Sequence, residues 1–389
     1  MKIAVPTETF PQERRVALVP DSITALGKQG HTVSIQAGAG EQAGYPDDAY
    51  QAKGATITAD RAELFRSCDV ILQIRGLGSN VEAGPSDLEL MRADQVVIGC
   101  FDPLSNPESA RTLAERRVTA FSMELVPRIT RAQSMDVLSS MATIAGYKAV
   151  LMAANTVPRM FPMFMTAAGT ITAAHVFVIG AGVAGLQAIA TARRLGAVVR
   201  AYDVRPAVKE QIESLGARFV EMELESGGAE DKGGYARDMG EDFIRKQREL
   251  MAKVVAECHV TVTTAAIPGK KSPVLITADM VKGMMPGSVI IDLAAERGGN
   301  CELTRMDETV VEHGVTIMGP SNLPSSVPYH ASQMYARNLV TFMKEITKEG
   351  EPAIDLENEV HRDTLLTRSG EIISPRVLSL LGMPPAATT

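Results

Sequence analysis

One stretch decides the fold of this chain: His175-Val-Phe-Val-Ile-Gly180-Ala-Gly182-Val-Ala-Gly185-Leu-Gln. The five residues before Gly180 are mostly apolar, β-branched or aromatic, and they predict a buried strand. The glycines have the Gly-x-Gly-x-x-Gly spacing, and the amphipathic residues after them predict a helix that ends near Gly196. A second apolar strand follows and ends in Asp203. The order strand, glycine turn, helix, strand, acid predicts a β-α-β dinucleotide-binding unit.

Each glycine of this fingerprint has a predicted role. Gly180 permits the tight turn, Gly182 lets the backbone approach a pyrophosphate, and Gly185 lets the helix pack closely on the strand. The helix opens near Gly182, with Val183 beside the cofactor, so its free N–H groups and positive dipole end would point at the phosphates. The alternative is an empty Rossmann unit whose glycines serve packing alone.

The acid at the end of the second strand predicts which dinucleotide is bound. Asp203 lies 18 residues beyond Gly185, close to the usual spacing for an acid that binds both ribose hydroxyls. A 2′-phosphate would meet a carboxylate there, so we expect NAD to be preferred over NADP. Val204 and Arg205 follow directly, and Arg205 is near enough to soften that preference without reversing it.

Composition limits the class of protein. The length of 389 residues suggests two or three domains, and the net charge of −7 without a basic run argues against nucleic acid or an anionic membrane as main partner. The cysteines and histidines are scattered, which predicts reduced thiols of a cytosolic chain and no metal site. Residues 160–192 carry no formal charge, but Pro162, several threonines and the fingerprint itself argue against a membrane span.

The order of elements predicts an α/β protein with two doubly wound Rossmann-like lobes joined by long helices. Strands near 2–5, 31–36, 70–74, 95–98 and 118–121 alternate with helical stretches, one of which opens at Asp21 and ends at Gly27. The segment Gly38-Ala-Gly40-Glu-Gln-Ala-Gly44 imitates half a nucleotide fingerprint, but its spacing is wrong and Tyr45-Pro46 follows, so a turn is expected.

The second lobe begins with the fingerprint strand. Its further strands are predicted near 218–221, 260–264, 288–292 and 315–318, and long helices near 134–156 and 332–349 would form a hinge between the lobes. Residues 353–376 read as short strands that return to the first lobe, which makes that lobe discontinuous. The expected domains are therefore 1–137 with 326–389, and 138–325.

Ligands of doubly wound sheets lie at the carboxyl ends of the strands. This rule selects the residues after 263, with Thr264, Ala265 and Ala266 beside the cofactor, and the stretch Asp292–Asn300, although turn chemistry would explain both segments. The glycine-rich segment Glu225–Gly240 is either a surface excursion or a lid over the nucleotide with Tyr235 as its contact.

A polar loop precedes the first long helix and is expected to face the cleft between the lobes. It reads Pro127-Arg128-Ile-Thr-Arg-Ala-Gln133-Ser-Met-Asp136-Val-Leu-Ser139. Hydride transfer between nicotinamides needs little acid–base catalysis and mainly needs a positioned carboxamide and ribose, which these side chains can provide. The simpler interpretations are a solvated loop for Arg128 and Arg131, and a helix cap for Ser134 or Asp136.

Six motifs are spread along the chain: Pro127–Asp136, Ala145-Gly-Tyr-Lys148, Val178–Leu186, Gly233-Gly-Tyr-Ala236, Ile267-Pro-Gly-Lys270 and Gly298-Gly-Asn-Cys301. Together they resemble the NAD(H)-binding component of proton-translocating NAD(P) transhydrogenase, over essentially the whole chain. The resemblance implies a peripheral cytoplasmic homodimer at the inner face of the cell membrane, without direct membrane insertion. Its partners would be an NADP(H)-binding component and a membrane-spanning component that moves protons.

The resemblance also assigns residues. Arg128 and Asp136 would bind the nicotinamide carboxamide, while Gln133 and Ser139 would support the site and the contact with the NADP(H)-binding component. Tyr235, beside Gly234, matches the tyrosine of a mobile loop that closes over NAD.

Alanine dehydrogenase is the nearest rival, because it shares the opening Pro6-Thr-Glu-Thr and Arg15-Val-Ala. That enzyme needs a substrate-binding Arg and Lys and a catalytic His and Asp. Arg15 matches, but Arg75 stands in place of the Lys, residues 99–103 contain no His, and Glu296 replaces the Asp. Without the His, ketone reduction lacks its general acid/base, and Arg15 is then structural. A third hypothesis is a non-catalytic NAD(H) sensor.

Overall fold

A computed structural model describes residues 1–221, 241–267 and 269–384. The chain divides into two compact units, unit 1 formed by Met1–Met141 with Pro324–Thr389, and unit 2 formed by Ala142–Leu323.

Strands and helices alternate along most of the chain. The described strands are β1 (Lys2–Val5), β2 (Thr32–Gln36), β3 (Thr56–Thr58), β4 (Val70–Arg75), β5 (Val96–Cys100), β6 (Thr119–Ser122), β7 (Phe164–Thr166), β8 (Gly169–Ile171), β9 (His175–Ile179), β10 (Val198–Tyr202), β11 (Arg218–Phe219), β12 (Val260–Thr263), β13 (Val289–Asp292), β14 (Thr309–Glu312), β15 (Val315–Met318), β16 (Thr347–Lys348), β17 (Glu351–Pro352), β18 (Leu365–Arg368) and β19 (Glu371–Ile372).

The described α-helices are α1 (Pro20–Lys28), α2 (Asp47–Gln51), α3 (Arg61–Ser67), α4 (Gly84–Leu90), α5 (Glu108–Glu115), α6 (Val137–Thr156), α7 (Val183–Arg194), α8 (Lys209–Ser214), α9 (Glu241–Ala256), α10 (Ala278–Lys282), α11 (Pro328–Ile346), α12 (Glu359–Thr364) and α13 (Pro375–Leu380).

Unit 1 is built on a sheet with strand order β19-β18-β6-β5-β4-β1-β2-β3. Strands β1 to β6 are parallel, whereas β18 and β19 are antiparallel additions from the C-terminal part of the chain. In β1, Ile3 and Val5 join one buried cluster and Ala4 joins another. The sheet is therefore covered on both faces, and the discontinuous lobe predicted from the sequence is confirmed.

Unit 2 is built on a second sheet, with order β11-β10-β9-β12-β13-β15-β14. It is parallel apart from β14, and the fingerprint strand β9 lies at its centre, paired with β10 and β12. Val176 and Val178 pack into one buried cluster, while Phe177 and Ile179 pack into another on the opposite face. This order brings the carboxyl ends of β9, β10, β12 and β13 to one edge, where ligands of such sheets bind.

Local predictions failed where the tertiary context decides the backbone. Helix α1 begins at Pro20, and Gly30 with φ +84°, not Gly27, leaves the helical conformation. Residues Thr130–Met135 form a 3₁₀ turn, so the long helix begins at Val137 instead of 134. Part of the tail expected as strands is the helix α12.

Residues 160–192 do not form one helix but contain the hairpin β7–β8, the strand β9 and most of α7. Within the described ranges, α6 alone is long and apolar enough to cross a membrane, judged by length and composition, and a third of its apolar window is buried. A core helix would meet the same criterion.

Candidate functional site

The glycine turn after β9 contains two glycines that packing requires and one that it does not. Gly180 has φ +94°, and a Cβ placed there would lie 2.5 Å from the Thr264 hydroxyl. A Cβ on Gly185 would lie 1.8 Å from the carbonyl oxygen of Gly180. A Cβ on Gly182, in contrast, would have no atom within 4 Å. The space beside Gly182 therefore remains open for a ligand.

Helix α7 begins at the open side of this turn. Gly182 is its N-cap residue and has no side chain that could cap the helix, and Val183 is 40% exposed. The first N–H groups of the 12-residue helix are therefore not satisfied by a side-chain cap. Such a terminus favours an anion, because N–H groups and the helix dipole point at it. This arrangement fits a pyrophosphate.

Asp203 follows β10 and is nearly buried, with 8% of its surface exposed. Its Oδ2 accepts the Ala181 N–H at 2.7 Å, and its Oδ1 accepts the N–H of Arg205 at 2.9 Å. The Arg205 side chain also donates to both oxygens at 2.9 Å. Asp203 is thus fixed beside the glycine turn, but its oxygens are occupied by Arg205. Val204 between them is half-buried.

The end of β12 lies against the same turn. The Thr264 hydroxyl donates to the carbonyl oxygen of Gly180 at 3.1 Å. The N–H and the carbonyl group of Ala265 are both bonded to the side chain of Asn300. A ligand beside Ala265 therefore meets its methyl group instead of its main-chain polar groups. Ala266 is exposed. The structure thus brings Thr264 and Ala265 together with the glycine turn.

The polar loop of unit 1 is held by side chains on both sides. The Asp136 carboxylate accepts the N–H of Ser139 at 2.9 Å and its hydroxyl at 2.6 Å, so Asp136 caps α6. Arg131 pairs with Glu345 at 2.5 Å and bonds Asn358. Arg131 is exposed, as the solvated-loop interpretation expects, and Glu345 ties its guanidinium to α11.

The other two candidates in this loop, Arg128 and Gln133, have exposed side chains. Asn338 on α11 donates to the Ser134 carbonyl oxygen at 2.8 Å and fixes the main chain directly after Gln133. Gly234 and Tyr235 lie outside the described residues.

Buried charges fill the carboxyl edge of the first sheet. Arg15 forms a two-pronged ion pair with Glu13, at 2.7 and 2.6 Å, and Arg75 contacts Glu13 at 3.3 Å and stacks on the Phe10 ring. Burial and the Glu13 charge raise the pKa of Glu8 to about 8, against its bonds from the main chain of Ile74 and Arg75. The pKa of Glu13 is lowered to about 2, because its two arginines outweigh its burial.

Within the described ranges, no group of three or more His, Cys, Asp or Glu side chains is arranged to hold a metal ion. Of the free cysteines, Cys68, Cys258 and Cys301 are buried, and burial raises the pKa of each thiol. These thiols are therefore poor nucleophiles and poor ligands.

Comparisons with known proteins identify the family. Residues 4–145 match the alanine dehydrogenase/PNT N-terminal domain and residues 149–375 match the alanine dehydrogenase/PNT C-terminal domain. The chain is 47% identical to the first part of NAD(P) transhydrogenase subunit alpha of Rhodospirillum rubrum, over 96% of this chain and 98% of that one.

A crystal structure of transhydrogenase from Sinorhizobium meliloti is similar, with a TM-score of 0.86 and 43% identity over 96% of this chain and 100% of that one. Alanine dehydrogenase of Bacillus subtilis is more distant, at 27% identity over 98% of this chain and 95% of that one. The chain therefore belongs to the alanine dehydrogenase/PNT family, and within it resembles the transhydrogenase alpha subunits more than it resembles this alanine dehydrogenase.

Proposed function

We propose that this chain is the NAD(H)-binding component of a proton-translocating NAD(P) transhydrogenase. A hydride passes directly between NADH on this chain and NADP+ on a partner component, and a membrane component couples the transfer to proton movement. One observation carries the proposal: 47% identity to a chain of the transhydrogenase alpha subunit, over nearly the full length of both chains.

The carboxyl edge of the second sheet would hold the NAD(H). The turn of Gly180, Gly182 and Gly185, with the α7 terminus at Val183, would receive the pyrophosphate, because the space beside Gly182 is open. Asp203 would accept the ribose hydroxyls once the Arg205 side chain moves aside. Val204, after β10, would contact the adenosine. Thr264, Ala265 and Ala266, after β12, would contact the cofactor on the side away from Asp203.

The polar loop of unit 1 would position the nicotinamide. Arg128 would donate to the carboxamide oxygen and Asp136 would accept from its nitrogen, as the family resemblance implies. The Asp136 carboxylate is oriented by Ser139, and Gln133 is exposed for the contact with the NADP(H)-binding component. When bound, NADH supplies the hydride. The residues of this chain then act by orientation and need not transfer a proton.

The similar transhydrogenase chains are named as alpha subunits, and a subunit implies partner subunits. We infer a peripheral position on the cytoplasmic face of the cell membrane, where the membrane component resides. From the family resemblance we infer that Gly234 and Tyr235 contact the bound NAD(H).

A homodimer is the proposed state of this component. The hairpin β7–β8 supports it, because its apolar side chains are open to solvent in the single chain, with Met165 80%, Met163 59% and Ile171 43% exposed. Apolar clusters of this kind are typical of surfaces that a partner covers. The variant Met165→Asp should shift the chain toward monomer in sedimentation velocity, whereas Val311→Asp, at an exposed residue of β14, should not.

The buried charges of unit 1 argue against alanine dehydrogenase activity. That enzyme needs a free arginine for its substrate carboxylate, but Arg15 is 6% exposed and its guanidinium is bound by Glu13. A substrate carboxylate would have to share the buried guanidinium with Glu13, and bringing a second negative charge to a buried ion pair is costly.

The test makes two additions to the purified chain and examines one variant. Absorbance follows the consumption of NADH in the first addition, whereas the NADPH formed in the second is separated and measured by mass spectrometry, because NADH and NADPH absorb at the same wavelength. Pyruvate with ammonium should give no oxidation of NADH. Addition of the NADP(H)-binding component with NADP+ should give NADPH, and Asp203→Ala should abolish NADH binding. NADH binding without any transfer to NADP+ would indicate a sensor, and oxidation with pyruvate and ammonium would indicate alanine dehydrogenase.

A further inference from the structure

Both the oxygen and the nitrogen of the Asn300 side-chain amide form hydrogen bonds to the main chain at the carboxyl edge of the second sheet. The residue is fully buried. Its Oδ1 accepts the N–H of Ala265 at 2.9 Å, and its Nδ2 donates to the carbonyl oxygens of Ala265 and Pro273 at 2.8 Å each. The amide therefore pairs with both polar groups of one residue, as a neighbouring strand would do. This fixes the position of the main chain where β12 has ended.

The contact continues to the glycine turn. Thr264, the residue before Ala265, donates its hydroxyl to the carbonyl oxygen of Gly180 at 3.1 Å. The same carbonyl group lies where a Cβ on Gly185 would clash. If the main chain at Ala265 moved, Thr264 would move with it, and its hydrogen bond would displace the glycine turn that precedes α7.

Asp292 anchors Asn300 in turn. Its carboxylate is fully buried, and its Oδ2 accepts the N–H of Asn300 at 2.7 Å and the hydroxyl of Thr304 at 2.7 Å. Its Oδ1 accepts the Thr263 hydroxyl at 2.9 Å, at the end of β12. Gly299 has φ +80°, and a Cβ there would lie 2.9 Å from Oδ2. The Gly-Asn sequence thus allows the chain to close tightly on Asp292.

A core that needed only stability would not require this network. Buried polar groups contribute little net free energy even when they are satisfied, but they fix one arrangement and are costly when half-satisfied. Here the bonds converge on β9, β12 and β13, the strands whose ends form the ligand edge. Their common effect is to hold the strand ends in register.

We propose that Asn300, anchored by Asp292, is a positioning residue for NAD(H) binding that fixes the Thr264–Ala265 segment and through it the glycine turn. The inference rests on the proposed function, because it needs NAD(H) to bind at that turn. It assigns a role to a residue that does not itself touch the cofactor.

The test compares Asn300→Ala with Gln95→Ala in the full chain. Gln95 is a matched control, because its buried amide donates to the carbonyl oxygens of Phe65 and Cys68 at 2.7 and 2.9 Å in unit 1. NADH affinity is measured by fluorescence titration, Tm by calorimetry, and hydrogen exchange without NADH by mass spectrometry. A structural role alone would lower Tm similarly in both variants and leave the affinity unchanged.

We expect the NADH Kd of Asn300→Ala to rise at least tenfold, with faster exchange confined to the peptide that contains Ala265. Gln95→Ala should keep the wild-type Kd within twofold. If Asn300→Ala does not fold, Asn300→Asp takes its place, because it keeps the size and the acceptor for Ala265 but lacks both donors. It should also weaken binding at least tenfold.

The two possible failures are distinguishable. An affinity of the folded Asn300 variant within twofold of wild type, with wild type binding NADH, would overturn the positioning role and leave the proposed function intact. Absence of NADH binding by the wild-type chain would overturn both.

Discussion

Two turns rich in glycine follow strands in this molecule, Gly38-Ala-Gly40 after β2 in unit 1 and Gly180-Ala-Gly182 after β9 in unit 2. A Cβ on Gly40 would lie 2.4 Å from the Tyr45 carbonyl oxygen and 2.6 Å from the Tyr50 hydroxyl, whereas one on Gly182 would meet no atom within 4 Å. The first turn is filled by its own tyrosines. The second is open and leads into a helix.

The sheet edges differ in the same way. In unit 1, Glu8 accepts the main-chain N–H groups of Ile74 and Arg75, and Glu13 pairs with both Arg15 and Arg75. In unit 2, Asp203 is held by main chain and by Arg205, a long side chain that can move. A glycine or a charge therefore indicates a ligand only where the molecule has not already filled the space beside it.

The largest effect is expected from Gly185→Ala, which tests whether α7 packs against the main chain of Gly180 as closely as described. The new Cβ would meet the backbone of Gly180, which cannot rotate away. We expect unit 2 to lose about 3 kcal/mol or more of stability, as for severe overpacking, and NADH binding to be lost. Chemical denaturation measures the first effect. An unchanged midpoint would mean that the helix does not pack as described.

Gly40→Ala is the counterpart of that variant in unit 1. It should lower stability by about 1–3 kcal/mol, because Tyr45 and Tyr50 must move. The NADH Kd should stay within twofold of wild type. A large loss of NADH affinity would show that the turn of unit 1 takes part in binding.

Gly182→Ala tests the open side of the glycine turn, because it should weaken NADH binding without changing the stability of unit 2. Gly182 has φ −73°, which alanine adopts without strain, and its Cβ would point into open space. We expect a change in stability within about 0.5 kcal/mol and an NADH Kd raised about tenfold, equal to about 1.4 kcal/mol. Wild-type affinity would argue that no phosphate approaches this residue.

Asp203→Asn tests the pair with Arg205. The carboxamide cannot hold the guanidinium as an ion pair, so Arg205 becomes available to a 2′-phosphate. We expect NADH to bind more weakly and the preference for NADH over NADPH to shrink about tenfold, or about 1.4 kcal/mol. The double variant with Arg205→Ala should reject NADPH again, and fluorescence titrations with both nucleotides measure this. A preference unchanged in the single variant would exclude Arg205 as a phosphate ligand.

The smallest effect concerns Glu8, whose pKa of about 8 lies above its ordinary value of 4.5 because of burial and the nearby Glu13. Between these two pH values the unfolded chain has lost a proton that the folded chain keeps, so stability falls as pH rises. We expect Tm to decline less between pH 5 and 8 in Glu8→Gln than in wild type. Equal declines would mean that Glu8 is already ionised in the folded chain.

Local sequence contains enough information to predict the fingerprint. Consecutive residues form β9, the turn, α7 and β10, so spacing alone predicts the elements and the place of Asp203. Long-range contacts are different. The ion pair of Arg131 with Glu345 joins residues 214 positions apart, and the bonds of Asn300 to Ala265 join residues 35 apart, which no local pattern reveals.

The hairpin β7–β8 was missed for another physical reason. Its strand residues are all exposed, and they lack the alternation that a half-buried strand shows. The imitation fingerprint of unit 1 was predicted correctly as a turn, since its spacing was wrong and Tyr45-Pro46 ends it before a helix can form.

The central claim is tested most directly with NADH that carries deuterium at the C4 position from which the hydride leaves. The chain is combined with the NADP(H)-binding component and NADP+ in ordinary water, and the NADPH formed is analysed by mass spectrometry. Direct transfer predicts about one deuterium per NADPH, with formation abolished in Asp203→Ala. NADPH without deuterium, or no NADPH from a mixture in which both nucleotides bind, would contradict the account.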